Sequence, residues 1–295
     1  MPSRTYGRER SRLAGRLREL REAAGLTGTA LAQRLGWIQP KISKIETGAQ
    51  FPSVDDVRVW AGEVGADAAL VDELVGMLGR ARAEYTTWRE AFRASNGADT
   101  RQADIAALEA QASTLGEFSP LVVPGLLQTA EYAREMLSSV PWPTAEGATD
   151  EEIARVVAGR MSRQQILYQP GRRITLVMLE AALYVRLCSP EAMAAQLNRL
   201  VAAASLPTLD MGIVPTATRL PVFPDTFALY GDLVVIETLG GELQLADPPE
   251  VERYQRYLEL LITAAATGQD AVVLLQRALD KLPEAHSESF RREDP

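Results

Sequence analysis

The stretch GLTGTALAQRLGWIQPKISKIETG, residues 25–48, decides the fold of the N-terminal region. Thr27 is placed to cap a first short helix, and Gly36 ends that helix. A second short helix covers about residues 39–46, with two isoleucines facing inward. Because two short helices joined by a tight turn at a glycine form a helix-turn-helix, the stretch predicts that motif.

The second helix of the pair combines an apolar and a polar face. Ile42 and Ile45 are spaced to hold the helix against the rest of the unit. The major groove is about 12 Å wide and is read by hydrogen bonds to base edges, so a reading helix must expose polar side chains. The polar face here presents Gln39, Lys41, Ser43 and Lys44.

The flanking sequence predicts three more helices around this pair. Residues 8–24 form an amphipathic pattern through three leucines, and Gly25 ends it. Ser53, with Asp56 three residues later, is placed to cap a fourth helix. A fifth amphipathic helix closes the unit through Leu70, Leu74 and Met77.

Residues 25–48 resemble the Xre-type, lambda-repressor-like helix-turn-helix. The matching residues are Gly25, Leu26, Thr27, Leu31, Ala32, Leu35, Gly36, Ile42, Ser43, Ile45, Glu46 and Gly48. The resemblance implies base contacts from the start and exposed face of the third helix, at Gln39, Lys41 and Lys44. It also implies backbone contacts from Ser43, Thr47 and Arg34.

Two positions depart from the pattern of that family. Gly28 stands where the family usually has a glutamine that touches the DNA backbone, and Ile38, followed by Pro40, replaces a Ser or Thr cap. Proline is tolerated in a first helical turn, but loss of the cap costs about 1 kcal/mol. Glu46 is interpreted as an internal partner, because a carboxylate facing phosphate would be repelled.

Charge is distributed unevenly along the chain. Residues 1–50 carry 10 basic and 4 acidic side chains, a net charge of +6, which leaves −14 for the remainder of a chain with net charge −8. This asymmetry favours a nucleic-acid-binding N-terminal end. The arginine-rich start is interpreted either as an arm on the duplex backbone, with Arg12 as a phosphate contact, or as a disordered tail; its residues are Arg4, Arg8, Arg10 and Arg12.

Composition excludes several classes of protein. The 295 residues include one cysteine, Cys188, and one histidine, His286, which predicts no disulfide framework, no cysteine-based zinc site and no Ser-His-Asp triad. No apolar run approaches the roughly 20 residues that cross a bilayer, and the N-terminus lacks the apolar region of a secretory signal. We therefore expect a cytoplasmic protein that is not an enzyme and has no cofactor.

The C-terminal part predicts an α+β domain. Residues 80–116 are interpreted as a helical connector, with one helix ending near 94 and another over about 101–113, followed by an apolar loop and a helix capped by Thr129. Strand patterns cover 173–180, 208–215, 226–230, 233–239 and 242–246, and helices cover 190–204, 249–266 and 270–281. Gly231-Asp232 and Gly240-Gly241 separate the last three strands, which predicts an antiparallel meander.

A second resemblance covers about residues 105–282. Its segments are VPGLLQTAEYAR (123–134), RMSRQ (160–164), LEAALYVR (179–186), MAAQLNRL (193–200) and VVIET (234–238). They resemble the C-terminal domain of actinobacterial toxin–antitoxin-like (WhiJ-like) regulators, which join an Xre-type head to this domain. The resemblance implies a transcription regulator whose gene often neighbours one for a small acidic partner protein, and it implies no catalytic residues.

Other candidate sites have weaker support from the sequence. Glu180 and Glu237 lie at strand ends and are interpreted as edge or capping carboxylates in preference to a catalytic pair. Arg160 and Arg163 could bind an anion or an acidic partner, although surface ion pairs are favoured. Four aromatic residues could line a pocket but are more typical of core; they are Trp88, Phe118, Tyr132 and Trp142.

These patterns predict a mostly α, lambda-repressor-like helix-turn-helix domain over 1–80 and a connector over 81–116. An α+β regulatory and dimerisation domain follows over 117–282, then a polar tail over 283–295. The predicted function is a dimeric, sequence-specific transcription regulator on a palindromic site in double-stranded DNA, with a C-terminal domain that senses a small protein or ligand. The alternative is an antitoxin-type interaction module that neutralises a partner and regulates its own operon.

Overall fold

The structure, a computed structural model, describes residues 8–87, 98–112, 114–139, 148–220 and 225–283. The N-terminal unit, hereafter the head, is helical as predicted. Its helices are α1 (Arg8–Ala23), α2 (Gly28–Leu35), α3 (Gln39–Glu46), α4 (Val54–Glu63) and α5 (Ala68–Arg82).

One apolar cluster holds the five head helices together. Leu17, Leu31, Ile42 and Trp60 each have at most 1% of their surface exposed, although they come from four different helices. Burying an aliphatic side chain of this size stabilises the fold by about 1.5–3 kcal/mol. The helical spacing of these residues in the sequence therefore identified the inward faces correctly.

The remaining elements form one sheet with helices on both faces. The strands are β1 (Ala83–Thr87), β2 (Leu115–Ser119), β3 (Ile174–Leu179), β4 (Leu209–Val214), β5 (Thr226–Tyr230), β6 (Leu233–Glu237), β7 (Gly241–Leu245) and β8 (Ala266–Thr267). The helices are α6 (Ala98–Gln111), α7 (Ala130–Ser139), α8 (Asp150–Arg163), α9 (Pro190–Ala203), α10 (Pro248–Ala264) and α11 (Gly268–Asp280). Short 3₁₀ turns cover Gly125–Leu127, Gln164–Tyr168 and Glu180–Leu183.

The sheet is mixed, which corrects the description of the domain as an antiparallel meander. Its strand order is β1-β7-β6-β5-β2-β3-β4-β8. β5, β6 and β7 do pair antiparallel in sequence order, but β2, β3 and β4 pair parallel. Parallel neighbours need a crossover of a dozen or more residues, and α9, which connects β3 to β4, provides one of them.

The predicted helical connector over 81–116 is wrong at both ends. α5 stops at Arg82 and the chain continues directly as β1, which pairs with β7. Residues 115–119 form β2, between β3 and β5, where an apolar loop was expected to begin at 117. The helix predicted over 101–113 is present as α6.

The two faces of the sheet have different chemistry. The face toward α10 is apolar and includes Phe118 and Phe227, which are wholly buried. Gly116 and Gly212 allow this close packing: a Cβ on Gly116 would collide with Leu258, and one on Gly212 would lie 2.6 Å from Ile262. The opposite face is apolar beneath α9 and α11 but polar beneath α6 and α8.

The head is attached to the sheet by more than the chain itself. The Arg82 guanidinium donates to the Pro52 carbonyl at 3.2 Å and pairs with Asp247 at 3.0 Å. The amide of Ala246, just after β7, donates to the Arg82 carbonyl at 2.8 Å. An exposed contact between Arg10 and Asp232, 3.3 Å long, adds a second link between the head and the β5–β6 turn.

Candidate nucleic-acid interface

The turn between α2 and α3 is built from local backbone interactions. The Thr27 hydroxyl accepts a hydrogen bond from the Ala30 amide at 3.1 Å and caps α2. Gly36 has a φ of +68°, the left-handed conformation that ends α2, and its amide bonds back to the helix carbonyls. Since glycine adopts this conformation without a Cβ penalty, the predicted stop is confirmed.

The predicted departures at Gly28 and Ile38 have visible consequences. Ile38 is the N-cap residue of α3 and makes no side-chain cap, and 70% of its surface is exposed. Gly28 opens α2 beside the start of α3, where an added Cβ would lie 3.6 Å from Ile42 and 3.9 Å from Gln39 Nε2. The first turns of α2 and α3 are therefore close together.

α3 presents a polar row to the exterior. Ile42 and Ile45 are buried at 0% and 1% exposure, which fixes the rotation of the helix about its axis. That rotation leaves Gln39, Ser43 and Lys44 exposed. Their donors and acceptors are thus available to a ligand alongside α3.

Lys41 lies apart from this row. Its ammonium donates to Asp56 Oδ1 at 2.7 Å and lies 3.7 Å from the centre of the Trp37 ring. Burial works against the charge of Asp56, but hydrogen bonds from Lys41 and Ser53 lower the pKa of its carboxyl. In the free protein Lys41 therefore fastens α3 to the start of α4.

Glu46 is confirmed as an internal partner. Arg21 Nε donates to Glu46 Oε1 at 2.5 Å and Nη2 donates to Oε2 at 2.9 Å, so the pair is bidentate. The same guanidinium donates to the Leu26 carbonyl at 2.7 Å. The pair fixes the end of α3 to α1, and sequence reasoning had not identified Arg21 as the partner.

The remaining predicted contacts lie at three different places. Thr47 donates its hydroxyl to the Ser43 carbonyl at 2.8 Å and caps the end of α3. Arg34, on α2, is exposed and pairs with Glu63 at 3.1 Å. Arg12, on α1, pairs with Glu9 at 3.6 Å and lines a cleft of about 480 Å³ between α1 and α5, together with Arg16 and other residues.

Several predicted residues lie outside the described part of the chain. They are Arg4, Trp88, Trp142, His286 and the tail from 284 onward, and the side chain of Arg8 is outside it as well. The other two aromatic candidates, Phe118 and Tyr132, are wholly buried core residues, as favoured.

Glu180 and Glu237 do not converge. Glu180 accepts a hydrogen bond from the Thr216 amide at 2.8 Å, and Glu237 pairs with Arg101 at 3.3 Å. Three strand spacings, about 14 Å, separate β3 from β6. The two carboxylates are therefore too far apart to act as a pair: Glu180 accepts from a backbone amide, as the capping interpretation expects, whereas Glu237 lies on an internal strand and forms an ion pair.

Arg160 and Arg163 are internal, so the favoured expectation of surface ion pairs is wrong. Arg163 donates to both oxygens of Glu109, whose surface is 3% exposed, and Arg160 donates to Gln128 Oε1 at 2.5 Å. Both arginines lie in the last turn of α8: Arg163 contacts Gln102 and Glu109 of the neighbouring helix α6, and Arg160 contacts Gln128, which precedes α7. The sequence pattern could not distinguish this buried face from a solvated one.

Two other kinds of site are absent from the described residues. Within the described ranges, no cluster of three or more His, Cys, Asp or Glu side chains is placed to hold a metal ion. Among the helices that the structure describes, none combines the length and the apolar composition needed to cross a membrane.

Comparison with known proteins gives two family matches. A model described as "Helix-turn-helix domain" matches residues 12–74, which run from within α1 to within α5. A model described as "Domain of unknown function (DUF5753)" matches residues 102–277, more than half of the chain. No curated protein matches.

One solved structure is similar at a low level. It is that of TrmBL2, an archaeal chromatin protein described as showing a novel mode of DNA binding. The identity is 11%, the TM-score is 0.29, and the match covers 82% of this chain and 88% of that chain. At this TM-score the likeness supports no conclusion about the present fold or function.

Proposed function

Because the chain belongs to the DUF5753 family and carries a helix-turn-helix domain, we propose that it is a sequence-specific DNA-binding transcription regulator. The exposed row on α3 carries this proposal. Gln39, Ser43 and Lys44 project from a helix whose orientation is fixed by two buried isoleucines and by the Arg21–Glu46 pair. A rigid helix with exposed hydrogen-bonding groups is what major-groove reading requires.

Each exposed group has a role that suits its chemistry. The Gln39 amide, at the start of α3, can pair with the N6 and N7 atoms of adenine, and the Lys44 ammonium can donate to guanine O6 or N7. Ser43, Thr47 and Arg34 are placed around this row as backbone contacts. For Arg34, contact with phosphate requires exchange of its exposed partner Glu63, which is inexpensive because exposed ion pairs contribute about 1 kcal/mol or less.

We further propose that the protein acts as a homodimer in the cytoplasm, on the nucleoid. One head covers only a few base pairs, whereas two heads related by a two-fold axis place their reading helices about 34 Å apart on a palindrome. The C-terminal domain is assigned the dimerisation and sensing roles, with no catalytic role. The net charge of −14 outside the first 50 residues opposes indiscriminate binding to DNA.

The test is binding of the purified protein to duplex from upstream of its own gene and to scrambled duplex, across a salt series. We expect a preference of about a thousandfold or more at physiological salt. Arg12→Ala is expected to weaken binding to both duplexes equally and to make the affinity less dependent on salt, as loss of a phosphate contact does. Absence of binding to either duplex even at low salt would overturn the regulator proposal.

The antitoxin-type role is distinguished by co-purification. A small acidic protein that is retained in fixed stoichiometry and changes the affinity for DNA would identify the C-terminal domain as its receptor. A protein that binds DNA specifically by itself, with no retained partner, favours the regulator as stated.

A further inference from the structure

Ile38, at the start of α3, is a large apolar side chain that the head leaves in solvent. Its exposed fraction is 70%, whereas Leu35 and Trp37, which precede it, are partly buried against the apolar cluster of the head. Single exposed apolar residues are common on protein surfaces and need no special explanation. Ile38 differs in two respects, which are its cost to the helix and its position beside the exposed row on α3.

The first respect is that Ile38 occupies a capping position without capping. Its φ of −88° and ψ of 141° are the extended geometry of an N-cap residue, and its side chain makes no cap hydrogen bond. Thr27, Ser53 and Asp67 cap three other helices of the head with side-chain oxygens. Isoleucine therefore leaves α3 less stable than serine or threonine would, and it buries little apolar surface in exchange. A residue that lowers stability without a packing gain is typical of a functional site.

The second respect is the position of Ile38 along α3. Residues 38–40 are all exposed, so Ile38 is continuous with Gln39, the first member of the exposed row. Adjacent Cα atoms lie about 3.8 Å apart, close to the spacing of about 3.4 Å between successive base pairs. With α3 in the major groove, Ile38 and Gln39 therefore reach the same base pair or two neighbouring ones.

Gly28 leaves space beside these residues. It opens α2, and a Cβ at this position would stand 3.9 Å from Gln39 Nε2. A longer side chain at position 28 would compete for the space around the Gln39 amide. The exposed side chains of residues 38–40 thus remain one hydrogen-bonding amide between two apolar groups, those of Ile38 and Pro40.

Among the four bases, thymine alone presents an apolar group in the major groove. That group is its C5-methyl, whereas cytosine presents an amino group and the purines present N7 with a carbonyl or an amino group. Isoleucine packed against a polar base edge would remove water from that edge without replacing its hydrogen bond. Packed against the thymine methyl, it removes apolar surface of both partners from water. The Gln39 amide suits adenine, so both residues favour A·T pairs.

We propose that Ile38 is a specificity-determining residue that recognises the C5-methyl group of a thymine, at the base pair read by Gln39 or at an adjacent one. This contact rests on the proposed DNA-binding function and adds a base preference to it. Each head selects a short A·T step by one hydrogen-bonding amide and one apolar contact.

The experiment measures the contribution of single methyl groups in the DNA. The full chain is used to enrich its preferred duplex from a random pool, and each thymine of that duplex is replaced in turn by deoxyuridine. Deoxyuridine keeps the hydrogen-bonding groups of thymine and lacks only the methyl group. In competition binding followed by fluorescence anisotropy, we expect one replacement to weaken binding about three- to fivefold, as loss of one buried methyl group does. That thymine should lie within one base pair of the adenine whose preference is lost in Gln39→Ala.

Ile38→Ala is expected to abolish the difference between the thymine and deoxyuridine duplexes. Since the methyl group and the Ile38 side chain act on each other, removal of either should remove the same contribution. Val59→Ala is the matched control, because it shortens an aliphatic side chain that is 48% exposed on α4 of the same head, and it should keep the full difference. A purely structural role of Ile38 would weaken binding to both duplexes by one factor and leave their ratio unchanged, which would overturn the proposal.

Methylated cytosine provides a second, independent readout. With a C·G pair at the methyl-sensitive position, 5-methylcytosine restores the methyl group without restoring the hydrogen-bonding groups of thymine. We expect wild type to bind the 5-methylcytosine duplex about threefold more tightly than the cytosine duplex, and Ile38→Ala to bind the two equally. Equal binding by wild type would contradict recognition of the methyl group.

The alternative occupant of an exposed apolar residue is another protein chain. Analytical ultracentrifugation of the full chain without DNA distinguishes it. We expect wild type and Ile38→Ala to have the same mass. A lower mass in the variant would place Ile38 in an interface between copies of the chain and overturn its role in base reading.

Failure of the methyl contact and failure of DNA recognition give different results. A chain that enriches a preferred duplex but binds all of its deoxyuridine versions equally would overturn the role of Ile38 and leave the DNA-binding proposal standing. Persistence of the methyl effect in Ile38→Ala would do the same. A chain that enriches no duplex would overturn both.

Discussion

At the scale of single residues, burial separates the side chains of α3 that are available to a ligand from those that support the head. Gln39 and Lys44 are exposed, whereas Lys41 is half-buried in its contacts with Asp56 and Trp37. The sequence predicted all three as base contacts, because helical spacing places each of them away from the isoleucine face. The difference arises because Asp56, in the first turn of α4, and Trp37, before α3, both contact Lys41.

Gln39→Ala and Lys44→Ala should each relax sequence preference. We expect a loss of about 1–3 kcal/mol at the cognate duplex and a smaller loss at scrambled duplex, because a bidentate base contact is removed. Competition binding against single-base variants of the site measures this. Arg58→Ala, an exposed arginine on α4, is the control, and equal preference in all three variants would refute the assigned reading row.

Lys41→Ala should act on stability. Loss of the partly buried ion pair and of the contact with Trp37 is expected to lower the free energy of unfolding by about 1–2 kcal/mol. Denaturant unfolding followed by tryptophan fluorescence provides the measurement. A variant of wild-type stability with altered base preference would place Lys41 back among the reading residues.

At the scale of elements, α3 has an uncapped start. Its N-cap residue Ile38 has extended backbone geometry, which suits a capping side chain, but carries none that can accept a hydrogen bond. α2 and α4 show the alternative, since Thr27 and Ser53 cap them. α3 is therefore less well terminated at its start than α2.

Ile38→Thr should supply the missing cap. We expect stabilisation of about 1 kcal/mol, because a threonine hydroxyl can accept from an amide of the first turn. Ile38→Ala, which shortens the side chain without adding an acceptor, is the matched control. Thermal unfolding of both variants decides the point: equal melting temperatures would show that Pro40 and packing already satisfy this helix end.

At the scale of the whole molecule, the head and the sheet share hydrogen bonds through Arg82. Its carbonyl accepts from Ala246, and its guanidinium reaches both Pro52 and Asp247. β1 extends the same connection by pairing along β7. Events in the C-terminal domain therefore have a direct structural route to the head.

Arg82→Ala should uncouple the two parts. We expect the free energy of unfolding to fall by about 1–2 kcal/mol and the head to melt at a lower temperature than the sheet. Scanning calorimetry resolves the two transitions. Arg80→Ala removes a nearby exposed arginine that makes none of these contacts, and it should leave the profile unchanged. An unchanged profile for Arg82→Ala would refute the coupling of the head to the sheet through Arg82.

The stability of the whole chain should depend on the ionisation of Glu117. Burial raises the pKa of its carboxyl from 4.5 to about 7, so the folded state binds a proton that the unfolded state has lost between these values. Stability contributed by this group is full below pH 4.5 and declines as the pH rises to about 7, by roughly 3 kcal/mol in total. Glu117→Gln removes this loss.

The difference between wild type and Glu117→Gln isolates that contribution from other titrating groups. Denaturant unfolding at pH 4 should give nearly equal free energies for the two proteins. At pH 8 the variant should be the more stable one, and a difference that is the same at both pH values would contradict the raised pKa.

Local patterns in the sequence determined much of this protein. Periodicity, capping residues and glycine stops identified the five head helices, the turn at Gly36 and the strands of the β5–β7 hairpins. These features depend on neighbouring residues along the chain, so a single sequence contains the information. The internal role of Glu46 also followed, because the sign of its charge excluded the alternative.

Only the tertiary structure decided which polar residues are buried and how distant strands pair. β1 and β2 were missed because each depends on partners more than 50 residues away, namely β7 for one and β3 and β5 for the other. Arg160 and Arg163 look like surface residues in a helical pattern, but Arg163 pairs with Glu109 of α6 and Arg160 contacts the buried Gln128. Burial of a polar side chain is set by what packs against it from elsewhere in the chain, and local sequence does not contain that information.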